Sequence, residues 1–200
     1  MTTSVAQIKE LREKTGAGFL NCREALEASG GDLEKALEIL REKGLAAADK
    51  RAGRETNAGV LDLYSHGEGR IGVMVEVNCE TDFVARTEEF RGFAHEIALQ
   101  VAANSPLYLS KDDVPEEILT EQKDRSRRQA QEEGKPENVI ERIIEGKMEK
   151  YYEQNCLLLQ PYIRDDSVKI EELLKEMIAT VGENITIRRF VRWSVGEELV

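Results

Sequence analysis

The side chains best suited to covalent chemistry in this sequence are three cysteines and two histidines. Cys79 and His95 are the pair that could act as nucleophile and base. Nothing local supports that pairing, because a free cysteine beside strands usually behaves as a small buried hydrophobe. The cysteines stand far apart without a CxxC pair, and no P-loop motif is present. We therefore expect no catalytic residue, no metal, no cofactor and no enzyme activity.

A second group of residues, Thr81-Asp82-Phe83-Val84, places a carboxylate beside an aromatic ring between a predicted strand and a predicted helix. Such a corner normally contains Gly, Asn or Pro, and this one contains none, which makes its residues candidates for a role beyond turning the chain. The alternative is structural: Asp82 would be the N-cap of the following helix and Phe83 a core residue of it. Taken alone, the corner favours this structural alternative.

The helices and strands that position this corner follow from the spacing of apolar residues. A capping box at 4–7 starts the first of three short helices, and we place the end of the third at Gly44. Strands are predicted at 60–65 and 70–78 around a hairpin loop, and a last alternating strand at 184–193. Helices are predicted after the corner up to Pro106 and at 115–133, 137–154 and 170–181.

These elements predict an α+β fold, in which a three-helix bundle precedes a three-stranded antiparallel sheet covered by helices. We divide the chain into an N-terminal module at residues 1–45, a polar, alanine-rich connector at 46–58 and a core domain at 59–200. The first 58 residues are balanced in charge, so the acidity of the chain lies in the core domain.

Composition argues against several classes of protein. A formal net charge of -11 is unfavourable for binding the phosphate backbone of nucleic acids. An odd number of cysteines in a chain of this length does not make a disulfide framework and indicates a reducing compartment. Neither a signal peptide nor an apolar run of membrane-spanning length is recognisable. We expect a cytoplasmic protein that binds neither nucleic acid nor membranes.

Five motifs occur in order along the chain. They are Thr15-Gly16-Ala17-Gly18 followed by Cys22 and Ala25-Leu26, Val77-Asn78-Cys79-Glu80-Thr81-Asp82-Phe83-Val84-Ala85, Gly134-Lys135-Pro136, Glu145-Gly146-Lys147, and Gly182-Glu183-Asn184-Ile185-x-Ile187-Arg188-Arg189. Together they resemble the translation elongation factor Ts family, and the resemblance covers nearly the whole chain.

The resemblance implies a guanine nucleotide exchange factor that binds elongation factor Tu, both GDP-bound and nucleotide-free, and promotes GDP release during translation elongation. In that family the N-terminal helices form a ubiquitin-associated-like (UBA-like) module that docks on the GTPase, a role that falls here on Arg12, Phe19 and Leu20. The segment that disturbs the partner's Mg²⁺ and phosphate site corresponds to Thr81-Asp82-Phe83-Val84. The core motifs each occur once, as in the short forms of the family, which pair as homodimers.

Other interpretations stay open at this point. The chain could be an adaptor whose UBA-like helices bind a partner without altering it, or an enzyme that uses Cys79. Phe19 and Leu20 fit either an exposed docking pair or a seal over the core of the helical module. Trp193 fits either the core or a dimer surface.

Overall fold

A computed structural model describes residues 4–198 of the chain. In chain order its elements are α1 (Val5–Thr15), α2 (Phe19–Ala28), α3 (Leu33–Asp49), β1 (Ala58–His66), β2 (Ile71–Cys79), α4 (Asp82–Ala85), α5 (Glu88–Asn104), α6 (Glu116–Glu132), α7 (Glu137–Asn155), β3 (Pro161–Tyr162), β4 (Asp165–Lys169), α8 (Ile170–Val181) and β5 (Ile185–Ser194). The predicted α+β class is confirmed, with a three-stranded antiparallel sheet and N-terminal helices.

The three N-terminal helices form where the sequence places their caps. The Ser4 hydroxyl accepts from the Gln7 amide, and the Gln7 side chain accepts in return from the Ser4 amide. Gly16 ends α1 at a φ of 67°, a conformation that glycine adopts without strain. The helices enclose a cluster of buried residues: Ile8, Leu11, Cys22, Ala25, Leu26, Ala36 and Leu40. Of the residues that helical spacing predicts to face inward in α1, Ile8 and Leu11 are buried, whereas Val5 is 72% exposed.

The predicted end of the third helix is wrong. α3 continues through Gly44 to Asp49, because the alanine-rich sequence that follows has a high helix propensity. Gly44 serves a close approach to α8 instead: a Cβ placed there would lie 3.0 Å from the Cβ of Ala179. Arg41 of α3 adds two salt bridges to glutamates of α8, at 2.9 and 3.0 Å. The C-terminal half of the third helix is thus held against α8.

The main sheet contains the two predicted hairpin strands and the predicted last strand, in the order β1-β2-β5. Its hairpin turns at Gly67, Glu68 and Gly69, all with positive φ. The apolar residues that helical spacing places on one stripe of α5 are buried: Phe90, Phe93, Ala94, Ile97 and Val101. A second, two-stranded sheet pairs β3 with β4 and was not predicted. Its first residue is Pro161, a residue type that is tolerated where a strand begins.

The chain divides into two compact units. One contains the chain up to Asp62 together with Glu76–Ala94 and Glu172–Arg188, and the other contains Leu63–Val75, His95–Glu171 and the chain from Arg189 onward. The N-terminal helices and the corner after β2 belong to the first unit. Within residues 4–198, no helix combines the length and the apolar character needed to cross a membrane.

Candidate partner-binding site

The corner after β2 folds into a single helical turn, α4. Thr81 is extended, with φ of -128° and ψ of 152°, and its Oγ1 accepts from the Val84 amide at 3.4 Å. Thr81 is therefore the N-cap, and the alternative that assigned this role to Asp82 is wrong. Asp82 occupies the first helical position, where a carboxylate interacts favourably with the unpaired amides of the helix start.

The side chains of this turn separate into an exposed pair and a buried pair. Phe83 is 81% exposed, and Asp82 is also exposed, whereas Val84 and Ala85 are buried. The alternative that Phe83 belongs to the core is wrong. Across the described part of the chain, no side chain forms a hydrogen bond or salt bridge with the Asp82 carboxylate. An aromatic ring and a carboxylate thus project from the fold, and the buried side chain of Val84 anchors the turn.

Two carboxylates tie this corner to the start of β5. Glu183 accepts from the Thr81 amide at 3.0 Å and from its hydroxyl at 2.7 Å. In the opposite direction, Glu80 accepts from the Asn184 amide at 2.6 Å and from the Arg54 guanidinium at 3.3 Å. The bond from the Asn184 amide is the main reason that the pKa of Glu80 lies below its usual value, and Arg54 adds to it. Glu80 is therefore an anion at neutral pH.

Two backbone carbonyls of the turn also accept hydrogen bonds from side chains. The Thr81 carbonyl accepts from the Cys79 thiol at 3.2 Å, and the Val84 carbonyl accepts from the Thr87 hydroxyl at 2.9 Å. Burial raises the pKa of Cys79, which keeps its sulfur a protonated thiol at neutral pH. A nucleophilic cysteine requires the thiolate. The protonated state of Cys79 is therefore unfavourable for the alternative in which Cys79 is the nucleophile of an enzyme. The backbone of the turn is held on both sides.

The start of β5 also holds the connector that follows α3. The Asn184 side-chain amide donates to the carbonyls of Arg54 at 2.7 Å and Ala52 at 3.4 Å. The hydroxyls of Thr56 and Thr186 lie 2.8 Å apart. Sequence reasoning missed these roles of Glu183 and Asn184. The two residues lie in one of the quoted motifs, but nothing local links position 81 to a residue 102 positions away.

The predicted docking residues lie at the surface of the N-terminal helices. Arg12 near the end of α1 is exposed, and at the start of α2 Phe19 is 47% and Leu20 61% exposed. Cys22 and Leu26 of α2 are fully buried. Other residues therefore cover the hydrophobic core of the N-terminal helices, and Phe19 and Leu20 form an exposed apolar pair.

One face of the main sheet is apolar and exposed in the second unit. Tyr64 packs its ring edge-on against His95 of α5, and Arg192 donates to the Ala102 carbonyl of α5 at 3.3 Å. Because side chains alternate along strands, their neighbours Leu63 and Trp193 point away from this helix, and both are exposed, as are Met74 and Val191. Trp193 is thus a surface residue.

Comparison with known proteins gives a consistent result. Residues 33–197 match the family profile described as Elongation factor TS. The chain is 60% identical over 194 residues to "Elongation factor Ts" of Caldanaerobacter subterraneus, covering 97% of each chain. It is 55% identical to the protein of the same name from Coprothermobacter proteolyticus, covering 98% of this chain and 100% of the relative. The Thermotoga petrophila relative is 55% identical, covering 98% of each.

Proposed function

The chain belongs to the elongation factor Ts family and is therefore a translation elongation factor; from that premise, we propose that it binds elongation factor Tu loaded with GDP and promotes GDP release. The nucleotide-free complex then takes up GTP in the cytoplasm, where the partner works in translation. The observation that carries the proposal is Phe83, an aromatic ring 81% exposed on a turn whose backbone is held on both sides.

No covalent step is needed for this activity. A GTPase holds GDP through phosphate contacts and through Mg²⁺, which bridges phosphate oxygens and protein ligands. A protein that binds the empty GTPase more tightly than the loaded one weakens GDP binding by the same factor by which GDP weakens its own binding. Differential affinity for the two states is therefore sufficient.

Phe83 supplies that differential affinity as a rigid wedge. Burial of a phenylalanine side chain contributes about 1.5–3 kcal/mol, which corresponds to roughly ten- to a hundredfold in an equilibrium constant. We propose that the ring fills a gap that opens in the partner only when its Mg²⁺-binding loop moves. Asp82 repels the anionic nucleotide or competes for its amide donors, because a single carboxylate makes a poor Mg²⁺ site. Thr81 and Val84 complete the site by fixing the turn.

We propose that docking is the role of the N-terminal module. Arg12, Phe19 and Leu20 are exposed there, and aromatic and arginine side chains carry much of the binding energy in protein interfaces. The functional division is then a UBA-like docking module at 1–45, a connector at 46–58 and the exchange core at 59–200. α3 extends from the module into the connector as one helix, which links docking to the core through a stiff element.

The deciding experiment follows the release of a fluorescent GDP from elongation factor Tu in the presence of unlabelled nucleotide. We expect acceleration at substoichiometric amounts of the chain, because an exchange factor leaves the complex and acts again. The alternative is an adaptor, which would bind the GTPase with unchanged GDP release. Binding without acceleration would therefore refute the exchange function and leave the adaptor.

We further propose that the exposed sheet face joins two copies in a homodimer. Leu63, Met74, Val191 and Trp193 form an apolar face whose burial against an identical face would add a second layer to the sheet. Sedimentation of the full chain measures its mass, and Trp193→Glu is expected to yield monomers. A chain that stays monomeric at high micromolar concentration would refute the dimer without affecting the exchange proposal.

A further inference from the structure

We propose that Glu183 is a positioning residue for exchange: its carboxylate orients the α4 turn so that Phe83 projects from the fold. The activity part of this inference rests on the exchange function proposed above. The structural part does not, because the state of the turn can be measured in the isolated chain.

The contact between Glu183 and Thr81 uses both hydrogen-bond donors of the threonine, its amide and its hydroxyl. One carboxylate oxygen accepts from the Thr81 amide at 3.0 Å and the other from the Thr81 hydroxyl at 2.7 Å. A hydroxyl has a single hydrogen to donate, so this bond directs the oxygen lone pairs toward the Val84 amide, 3.4 Å away. Glu183 thus fixes the rotamer that makes Thr81 an N-cap.

The turn depends on such anchors because it is very short. α4 comprises Asp82–Ala85, and a helix of one turn is not stable on its own in water. Val84 and Ala85 anchor its inner side by burial, and Glu183 anchors its start. Without the carboxylate, the turn is free to sample other orientations, and the fraction of chains with Phe83 correctly placed falls. Apparent activity falls with that fraction.

The fold itself does not depend on Glu183. Glu80 bonds independently to the Asn184 amide and to Arg54, so the corner and β5 remain joined when Glu183 is removed. The Thr81 amide released by that change lies at an exposed residue, where water can satisfy it. We therefore expect a selective loss of orientation with little loss of stability.

The experiment compares Glu183→Ala and Glu183→Gln in the full chain, with Glu149→Ala as control for the loss of one exposed negative charge on α7. Two quantities are measured: the maximal rate of GDP release with the partner concentration that gives half of it, and the hydrogen exchange of the Thr81 and Val84 amides by NMR. The release kinetics separate an effect on positioning from an effect on docking. The amide exchange reports directly on the state of the α4 turn.

We expect Glu183→Ala to lower the maximal rate about tenfold with less than about a threefold change in the half-saturating concentration, since the docking helices are untouched. The Thr81 and Val84 amides should exchange much faster. Glu183→Gln keeps one acceptor oxygen and should lie between the wild type and Glu183→Ala in both the maximal rate and the amide exchange. Glu149→Ala should match the wild type in both measurements.

Several results would overturn the inference. Wild-type release by Glu183→Ala refutes it, and so does slow release with unchanged Thr81 protection, which would make Glu183 a contact residue of the partner. If Glu183→Ala fails to fold, Glu183→Gln provides the same comparison. A wild-type chain that releases no GDP refutes the exchange function instead, and the amide measurement alone then decides whether Glu183 orients the turn.

Discussion

Truncating Phe83 to alanine should separate partner binding from stability. The ring is 81% exposed, so only about a fifth of its burial energy contributes to the fold, roughly 0.3–0.6 kcal/mol of a full value of about 1.5–3 kcal/mol. For a chain of this size, that corresponds to a fall in Tm of about 1–2 °C. If the whole ring is buried in the open partner, the variant loses about 2 kcal/mol of binding free energy for that state. This corresponds to a decrease of roughly thirtyfold in the rate of GDP release.

Phe90 provides the matched control. It is the same residue type on α5 and is completely buried, so Phe90→Ala should cost about 3–5 kcal/mol of unfolding free energy. Thermal unfolding by circular dichroism and stopped-flow release of fluorescent GDP measure the two effects in each variant. A Phe83→Ala chain that loses as much stability as Phe90→Ala, or that releases GDP at the wild-type rate, would refute the wedge.

Three further predictions follow from buried groups and backbone geometry. The native Cys79 thiol should react with a disulfide reagent at pH 8 at least about a hundredfold more slowly than in the unfolded chain, since burial raises its pKa; rapid native labelling would contradict this. Gly59→Ala should lower the unfolding free energy by about 2 kcal/mol or more, because its φ is +154° and a Cβ would clash with the Val77 carbonyl oxygen; a melting curve like that of the wild type would count against it. The hydrogen bond from Arg164 lowers the pKa of Glu96 below 4.5, so this carboxylate stabilises the fold above that pH and ceases to do so as the pH falls through its folded value; urea unfolding should show Glu96→Gln less stable than wild type at pH 7, with the difference shrinking toward pH 3.

Helices and strands were predictable where a local signal sets them. The capping box at Ser4, the αL glycine at Gly16 and the apolar stripe of α5 each act within a few residues, and the sequence displays them directly. The prediction that the third helix ends at Gly44 was wrong because the role of this glycine depends on a residue far away in the sequence. Its role is the approach to Ala179, which no pattern around position 44 reveals.

The candidate site also has one feature that the local sequence predicts and one that it does not. The corner itself was predictable, because an acidic and aromatic pair without a turn-forming residue is unusual between strand and helix. Whether Phe83 faces inward or outward was not predictable, since it depends on whether Thr81 or Asp82 is the N-cap of the next helix. The carboxylate of Glu183 bonds to Thr81 from a distant part of the chain, and only the folded geometry brings the two together.

The unbroken α3 has a consequence for engineering the chain. It runs 17 residues from Leu33 to Asp49, about 25 Å, as one continuous helix through Gly44. Adding a single residue near its middle would rotate everything beyond it by about 100°, carrying Arg41 away from its glutamate partners on α8. An insertion would therefore be tolerated less well within α3 than in the loop at Gly67. Both the length of this helix and the rotation between its two ends are fixed by its contacts.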